Sequence, residues 1–289
     1  MAPNVDFDPI TRRDTSGAII RITEPVEFIA MSHNPLLDLH KLAKIAPQFS
    51  ARRRKIEKLI IDNIDTLTAV ENGLIETIRM ADETHLRDTT SKIMPLTTQY
   101  NLGPTLTADL VNQKLLDRPT AAVTQKIIQK YQQDLIDEAL ASKNSDDGST
   151  PIDRMMHVTL RQSLSEFEYY YKKLMLEAAD QLPLVLPELD LPADQAAAIQ
   201  PLVATLKNED DIDVRARLIR EIFAKLPLDT QKEILRKTVD LRPEPVADGE
   251  LFAIPDGAKT KKIDDSTRKD IIFQLMDGIP VDTSTLIEH

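Results

Sequence analysis

The chain has 289 residues, with 36 Lys plus Arg against 47 Asp plus Glu and a net charge of −11. That balance disfavours a non-specific nucleic-acid binder, which needs a strong basic field. With 7 Gly and no Cys or Trp, few positions let the backbone hug a phosphate, and disulfides, thiolate nucleophiles, Fe–S clusters and Cys-type zinc sites are excluded.

Residues 1–48 carry Pro3, Pro9, Pro25, Pro35 and Pro47. Pro this frequent breaks long helices, so the segment is predicted to be an extended N-terminal arm. Within it, 17–24 is β-branched and reads as a strand that needs a partner, and 36–45 reads as a short helix. The first residues carry acid and Pro rather than a basic region and an apolar run, so no signal peptide is expected.

Residues 50–92 hold the clearest pattern. Ser50 is a candidate N-cap, and Ile56, Ile60, Ile64, Leu67, Val70, Leu74, Ile78 and Ala81 recur at spacings of three and four. This predicts one apolar stripe on a helix of about ten turns. Residues 93–118 are irregular. A helix follows over 120–142, with Val123, Ile127, Tyr131, Leu135 and Ala139 on one face. The polar loop 143–150 leads to Thr150, Pro151 and Asp153, which open a helix predicted over 151–181.

Residues 182–192 contain Pro183, Pro187 and Pro192 among alternating Leu, and are expected to be extended with an apolar edge. Short helices are predicted at 193–207, 212–225 and 229–240, the last opened by a Thr230–Glu233 capping box. After the irregular stretch 241–263, a final helix is predicted over 265–277. The fold class is therefore mainly α, with at most one or two short strands. The expected domains are the arm 1–48, a long-helix bundle over 49–181, a short-helix cluster over 182–240, and a C-terminal arm with one helix over 241–289.

The phosphate-binding loop, the dinucleotide glycine fingerprint, the nucleophile elbow and the zincin helix are all absent from the sequence. His33 and His40, seven apart around Asp38, would share a helical face but fall short of a metal set, and the His read as surface or capping groups. The polar stretch from Asn144 to Gly148 matches a calcium loop at only a few positions. Asp82, His85 and Asp88, spaced by three, could orient a base or bind a divalent ion, with solvated ion pairs as the plainer reading. No catalytic residue, cofactor or metal site is assigned.

Partner-binding candidates come from three places. Arg52, Arg53, Arg54 and Lys55 form the dense basic cluster. At a helix start they oppose the macrodipole, which points to an acidic neighbour or a phosphate backbone. Lys259, Lys261 and Lys262 are a weaker cluster. Tyr169, Tyr170 and Tyr171 point about 100° apart on a helix: Tyr171 fits the apolar stripe, Tyr170 flanks it and Tyr169 points elsewhere, so Tyr169 and Tyr170 suit an interface. Leu184, Leu186 and Leu189 line the Pro-rich strap.

The expected role is a non-enzymatic structural subunit of a large assembly, a virion component such as a bacteriophage capsid, neck or tail protein. Its arms would clamp other copies or other subunits. Nucleic acid would be met only through the cluster from Arg52 to Lys55, and no membrane or small-molecule substrate is expected. The alternative is a cytosolic α-helical adaptor, and a third reading is an enzyme using Asp82, His85 and Asp88. The expected location is the virion or the cytoplasm.

Overall fold

The computed structural model describes residues 5–68, 91–92, 95–103, 105–141, 151–242, 250–255 and 257–288. The fold is mainly α-helical. The described elements are the two-residue strands β1 (Arg12–Arg13) and β2 (Ile19–Ile20), then α1 (Val26–Ser32), α2 (Leu39–Asp62), α3 (Leu106–Asn112) and α4 (Arg118–Ala141). After these come α5 (Pro151–Val185), a 3₁₀ turn (Leu186–Glu188), α6 (Ala193–Lys207), α7 (Ile212–Ala224), α8 (Leu228–Asp240) and α9 (Asp265–Asp277). No helix among the described residues is long and apolar enough to cross a membrane.

The chain divides into two compact units. Unit one comprises Met1–Lys55, Asn72–Glu166 and Pro245–His289, and unit two comprises Ile56–Glu71 and Phe167–Glu244.

Unit one begins with the strand expected near residue 19. Its partner is local: β1 and β2 pair antiparallel, Arg12 opposite Ile20 and Arg13 opposite Ile19. Asp14 sets the turn by accepting from the Ser16 and Ala18 amides at 2.8 and 3.0 Å, and Gly17 takes a φ of 86°, a conformation that favours glycine. Ile19 then joins Ile10, Val26, Ile29 and Ala30 in one apolar cluster with Val123, Ile127, Tyr131 and Leu135 of α4 and Val158 of α5. Helix α1 packs against both α4 and α9.

Helix α2 begins about three turns before the expected start. Asp38 caps it, its carboxylate accepting from the Lys41 amide at 2.9 Å, and Ser50 lies mid-helix, donating to the Pro47 carbonyl at 3.2 Å. Pro47 stays inside the helix. An internal Pro costs about 3 kcal/mol, but Leu39, Leu42, Ile45, Ala46 and Phe49 are all buried on this stretch. At about 1.5–3 kcal/mol for each large side chain, that burial outweighs the Pro. Residues 26–48 are thus largely helical and buried rather than an extended arm, because the apolar spacing of 39–49 overrides its Pro.

The C-terminal helix of unit one matches its expected bounds. Asp264 caps α9 by accepting from the Thr267 amide at 2.8 Å, and Gly278 ends it in the left-handed region at φ 70°, the usual helix stop. Ile271, Ile272, Leu275 and Met276 are buried, so the helix expected within an arm belongs to the core of unit one. The tail is also held: the Lys261 amide donates to the Leu286 carbonyl and the Glu288 amide to the Lys259 carbonyl.

In unit two, Ile56, Ile60, Ile64 and Leu67 are buried, as their spacing predicts. Val70, Leu74, Ile78 and Ala81 lie outside the described residues. Phe167, Tyr171, Leu174 and Ala178 of α5 are buried as expected, as is Leu164 in the part of α5 that belongs to unit one. Helix α5 continues to Val185 through Pro183, one turn beyond expectation, so the strap begins as helix. Leu182 and Val185 are buried there, and that burial offsets the i→i−4 hydrogen bond that Pro183 cannot make.

Helices α6, α7 and α8 fall where predicted, within one residue at each end, and α6 packs on α7. The expected capping box does not form. Helix α8 starts at Leu228 after Pro227, with no side-chain cap, because Pro at N-cap already presets the entry and places Thr230 inside the first turn.

Candidate functional site

The basic cluster is split by the helix that carries it. Arg52 and Arg53 lie on the buried face of α2, one turn after Phe49, whereas Arg54 and Lys55 are exposed. Arg52 is only 5% exposed. Its Nε and Nη2 donate to the two Glu166 oxygens, each at 2.8 Å, and Nη1 donates to Asp109 at 2.8 Å and reaches the Gly103 carbonyl at 3.5 Å. Burial alone would lower the Arg52 pKa, but Glu166, Glu27 and Asp109 drive it upward on balance. The guanidinium is therefore locked in its charged form and serves unit one internally.

Gly103 is part of this arrangement, since a methyl group there would overlap the Asp109 carboxylate. Glu27 accepts from the Leu106 and Thr107 amides at 2.9 and 2.6 Å, occupying the first orphan donors of α3. Burial, reinforced by the charge of Glu166, pushes its carboxyl up. Arg53 donates to the Asp277 carbonyl at 2.7 Å, at the C-terminal end of α9, where the dipole favours a cation. Lys55 donates to the Asn101 carbonyl at 3.3 Å.

A second buried cation closes the turn between α1 and α2. Arg268 donates to the Ser32 carbonyl at 2.5 Å, the Leu37 carbonyl at 3.0 Å and the Asp265 carboxylate at 2.7 Å. Beside it, His33 Nδ1 stands 3.7 Å from Asp265 Oδ2. Burial lowers the His33 pKa, with Arg268 adding to the effect and Asp265 opposing it.

A folded pKa below the unfolded one makes protonation favour the unfolded state. His33 should thus destabilise unit one as pH falls below about 6.5, the ordinary histidine value. The expected result is that, in urea titrations from about pH 7.5 to about pH 5.5, the wild type loses more stability than His33→Gln. Equal losses would mean that His33 is not a source of acid sensitivity.

Of the other candidates, His40 is exposed and Asp38 is the α2 cap. Among the described residues no group of three or more His, Cys, Asp or Glu could hold a metal ion. Asp82, His85, Asp88 and the stretch from Asn144 to Gly148 lie outside the described residues. Lys259, Lys261 and Lys262 are exposed. Tyr170 is buried, its ring edge-on to Tyr169 at 5.4 Å between centroids. Tyr171 is buried, with its hydroxyl 3.2 Å from that of Thr68. Tyr169 is half-buried, with the Lys173 ammonium over its ring. Leu186 and Leu189 are half-buried, and Leu184 is 61% exposed.

Unit one carries a groove that no local sequence pattern announced. It has a volume of about 670 Å³ and is lined by Lys41 and Lys44 of α2, by Val111, Asn112, Lys114, Leu115 and Leu116 around the end of α3, and by Asp117 and Arg118 at the start of α4. Its inner end is neutral. Lys41 Nζ lies 2.9 Å from the Asp117 carboxylate and donates to the Leu36 carbonyl and Thr120 hydroxyl at 2.9 and 2.8 Å. Asp117 caps α4 through the Thr120 amide at 2.8 Å. Partial burial works against its ionisation, but the Thr120 amide and Lys41 hold its carboxyl down to about 2.

The rim is cationic. Lys44, Lys114 and Arg118 are exposed, and Lys44 Nζ reaches the Lys114 carbonyl at 3.5 Å. Lys114 itself takes a φ of 59°. These three cations, which have no carboxylate partner among the described residues, thus stand over an apolar floor of Val111, Leu115 and Leu116 in a chain of net charge −11. The cations come from two separate segments, Lys44 from α2 and Lys114 with Arg118 from the 111–118 stretch, so only folding brings the first to the other two.

Unit two presents the opposite character. Asp180 of α5 and Arg215 of α7 form an ion pair, and Arg215 also donates to the Glu209 carbonyl at 2.9 Å, closing the turn between α6 and α7. Leu184 follows Asp180 by one helical turn, and Ile212 precedes Arg215 by one. These two are the most exposed large apolar residues described, at 61% and 64%. Arg242 ties the end of α8 to Glu57 at 2.8 Å and to Glu177. No protein-family model, curated protein or solved structure matches this chain.

Proposed function

We propose that this chain is a non-enzymatic structural subunit of a large protein assembly, a virion component such as a bacteriophage capsid, neck or tail protein, acting in the virion or in the cytoplasm during assembly. The observation that carries the reading is in unit two. Its ion pairs are closed and its apolar stripe is buried, yet Leu184 and Ile212, either side of the Asp180–Arg215 pair, stay more than 60% exposed. Single exposed apolar residues are ordinary, but two this exposed, each one helical turn from a member of the same ion pair, support a surface for another protein. The partners are other copies or other subunits.

The test is the mass of the purified protein by light scattering over a range of concentrations. A mass that rises with concentration, and that falls back towards the monomer in Leu184→Asp, is the expected result. A monomer at every concentration would overturn self-assembly and favour an adaptor that binds one different partner.

A further inference from the structure

We infer that the cationic groove of unit one is a socket for a second copy of this chain, filled by the acidic stretch 208–213 that leads into the first residues of α7 in that copy. The inference rests on the assembly reading above and names the contact it would use. The stretch reads Asn-Glu-Asp-Asp-Ile-Asp. Asp210, Asp211 and Asp213 are exposed. Ile212 protrudes among them as the most exposed large apolar side chain described.

The two surfaces match in both respects that matter. The groove offers three rim cations around an apolar floor, and the stretch offers three exposed carboxylates around one apolar tip. Apolar burial supplies affinity, and the charges supply register and steering. A volume of about 670 Å³ lies within the roughly 300–1,000 Å³ of ordinary binding clefts and takes a few residues of chain. The floor argues against a nucleic-acid backbone, which would place charged phosphate over Val111, Leu115 and Leu116. The chain's own net charge of −11 makes copies repel at long range, so a contact between copies needs a local patch of opposite sign.

Socket and plug are different sets of residues, one in unit one and the other in unit two, so the contact is heterologous, that is head-to-tail. Such a contact leaves one free socket and one free plug on every pair of molecules, and it grows into a closed ring or an open filament according to the rotation it imposes. That is the behaviour of a subunit built for an extended assembly.

The test uses full-length protein and two charge reversals. Lys114→Glu with Arg118→Glu makes the rim acidic, and Asp210→Lys with Asp213→Lys makes the plug basic. Asp211 is left intact because it caps α7. Self-association is measured by sedimentation and light scattering at low salt, with circular dichroism confirming that each variant is folded. Each double variant alone should lose about tenfold or more in association, since both then oppose like charges. An equimolar mixture should recover it, because each reversed surface now meets its complement. Wild-type association should weaken as salt rises.

Association of both variants at wild-type strength would overturn the contact while leaving the assembly reading intact. So would loss in both with no recovery on mixing. A wild type that stays monomeric at every concentration would overturn both. Binding of a short DNA duplex that is abolished by Lys114→Glu and Arg118→Glu, with self-association unchanged, would reassign the groove to nucleic acid.

Discussion

Arg52→Ala should destabilise the protein by about 3–5 kcal/mol, the usual cost of removing one partner from a buried ion pair. The guanidinium fork neutralises Glu166 through both oxygens and Asp109 through a third bond, with Glu27 close enough to contribute. Alanine leaves these carboxylates facing one another without a cation. Their remaining recourse is to take up protons, so the deficit should shrink as pH falls through the carboxylate range.

Urea unfolding monitored by circular dichroism at neutral and acidic pH measures both effects. Arg52→Lys should fall between wild type and alanine, because an ammonium keeps the charge but cannot form the two parallel bonds to Glu166. A loss below about 1 kcal/mol would mean that water hydrates the carboxylates and that the pair behaves as a surface one.

Ile64→Asp should unfold unit two. Ile64 is fully buried, in line with Ile56, Ile60 and Leu67. Truncating a buried Ile costs about 2–5 kcal/mol, and an ionised carboxylate without a partner adds several more. The sum rivals the total stability of an ordinary domain, about 5–15 kcal/mol. The expected readout is loss of helical signal with new protease cleavage in the 167–242 stretch. Ile64→Val, which removes a single methylene, should cost only about 0.5–1.5 kcal/mol and keep the fold. An aspartate variant that melts cooperatively near the wild type would show that the stripe faces solvent.

These two residues also separate what a linear reading can reach from what it cannot. The stripe through Ile64 was legible because helical periodicity is local: each residue is read against neighbours three and four positions away. The same holds for α9, whose start and stop are written in Asp264 and Gly278, and for α6 to α8, bounded by Pro and Asp. Arg52 and Arg53 were half legible. They stand in phase between Phe49 and Ile56, so a stripe traced back past Ser50 would have carried two cations onto the buried face. Taking Ser50 as a cap and Pro47 as a breaker hid that register, and the cluster read as a surface patch.

The sequence by itself determined the helical class, the apolar stripe from Ile56 to Leu67 and the bounds of the short helices, because each depends on propensity, capping or periodicity within a few residues. The tertiary structure decided that Pro47 stays inside a helix, that Arg52 is buried, and that Lys44, Lys114 and Arg118 share one groove. Those outcomes rest on partners far along the chain: Arg52 and Glu166 are 114 residues apart, and Lys41 and Thr120 are 79 apart. A Pro is tolerated or a charge buried only when the distant groups that offset the cost arrive at the same place, and that arrival is a property of the fold.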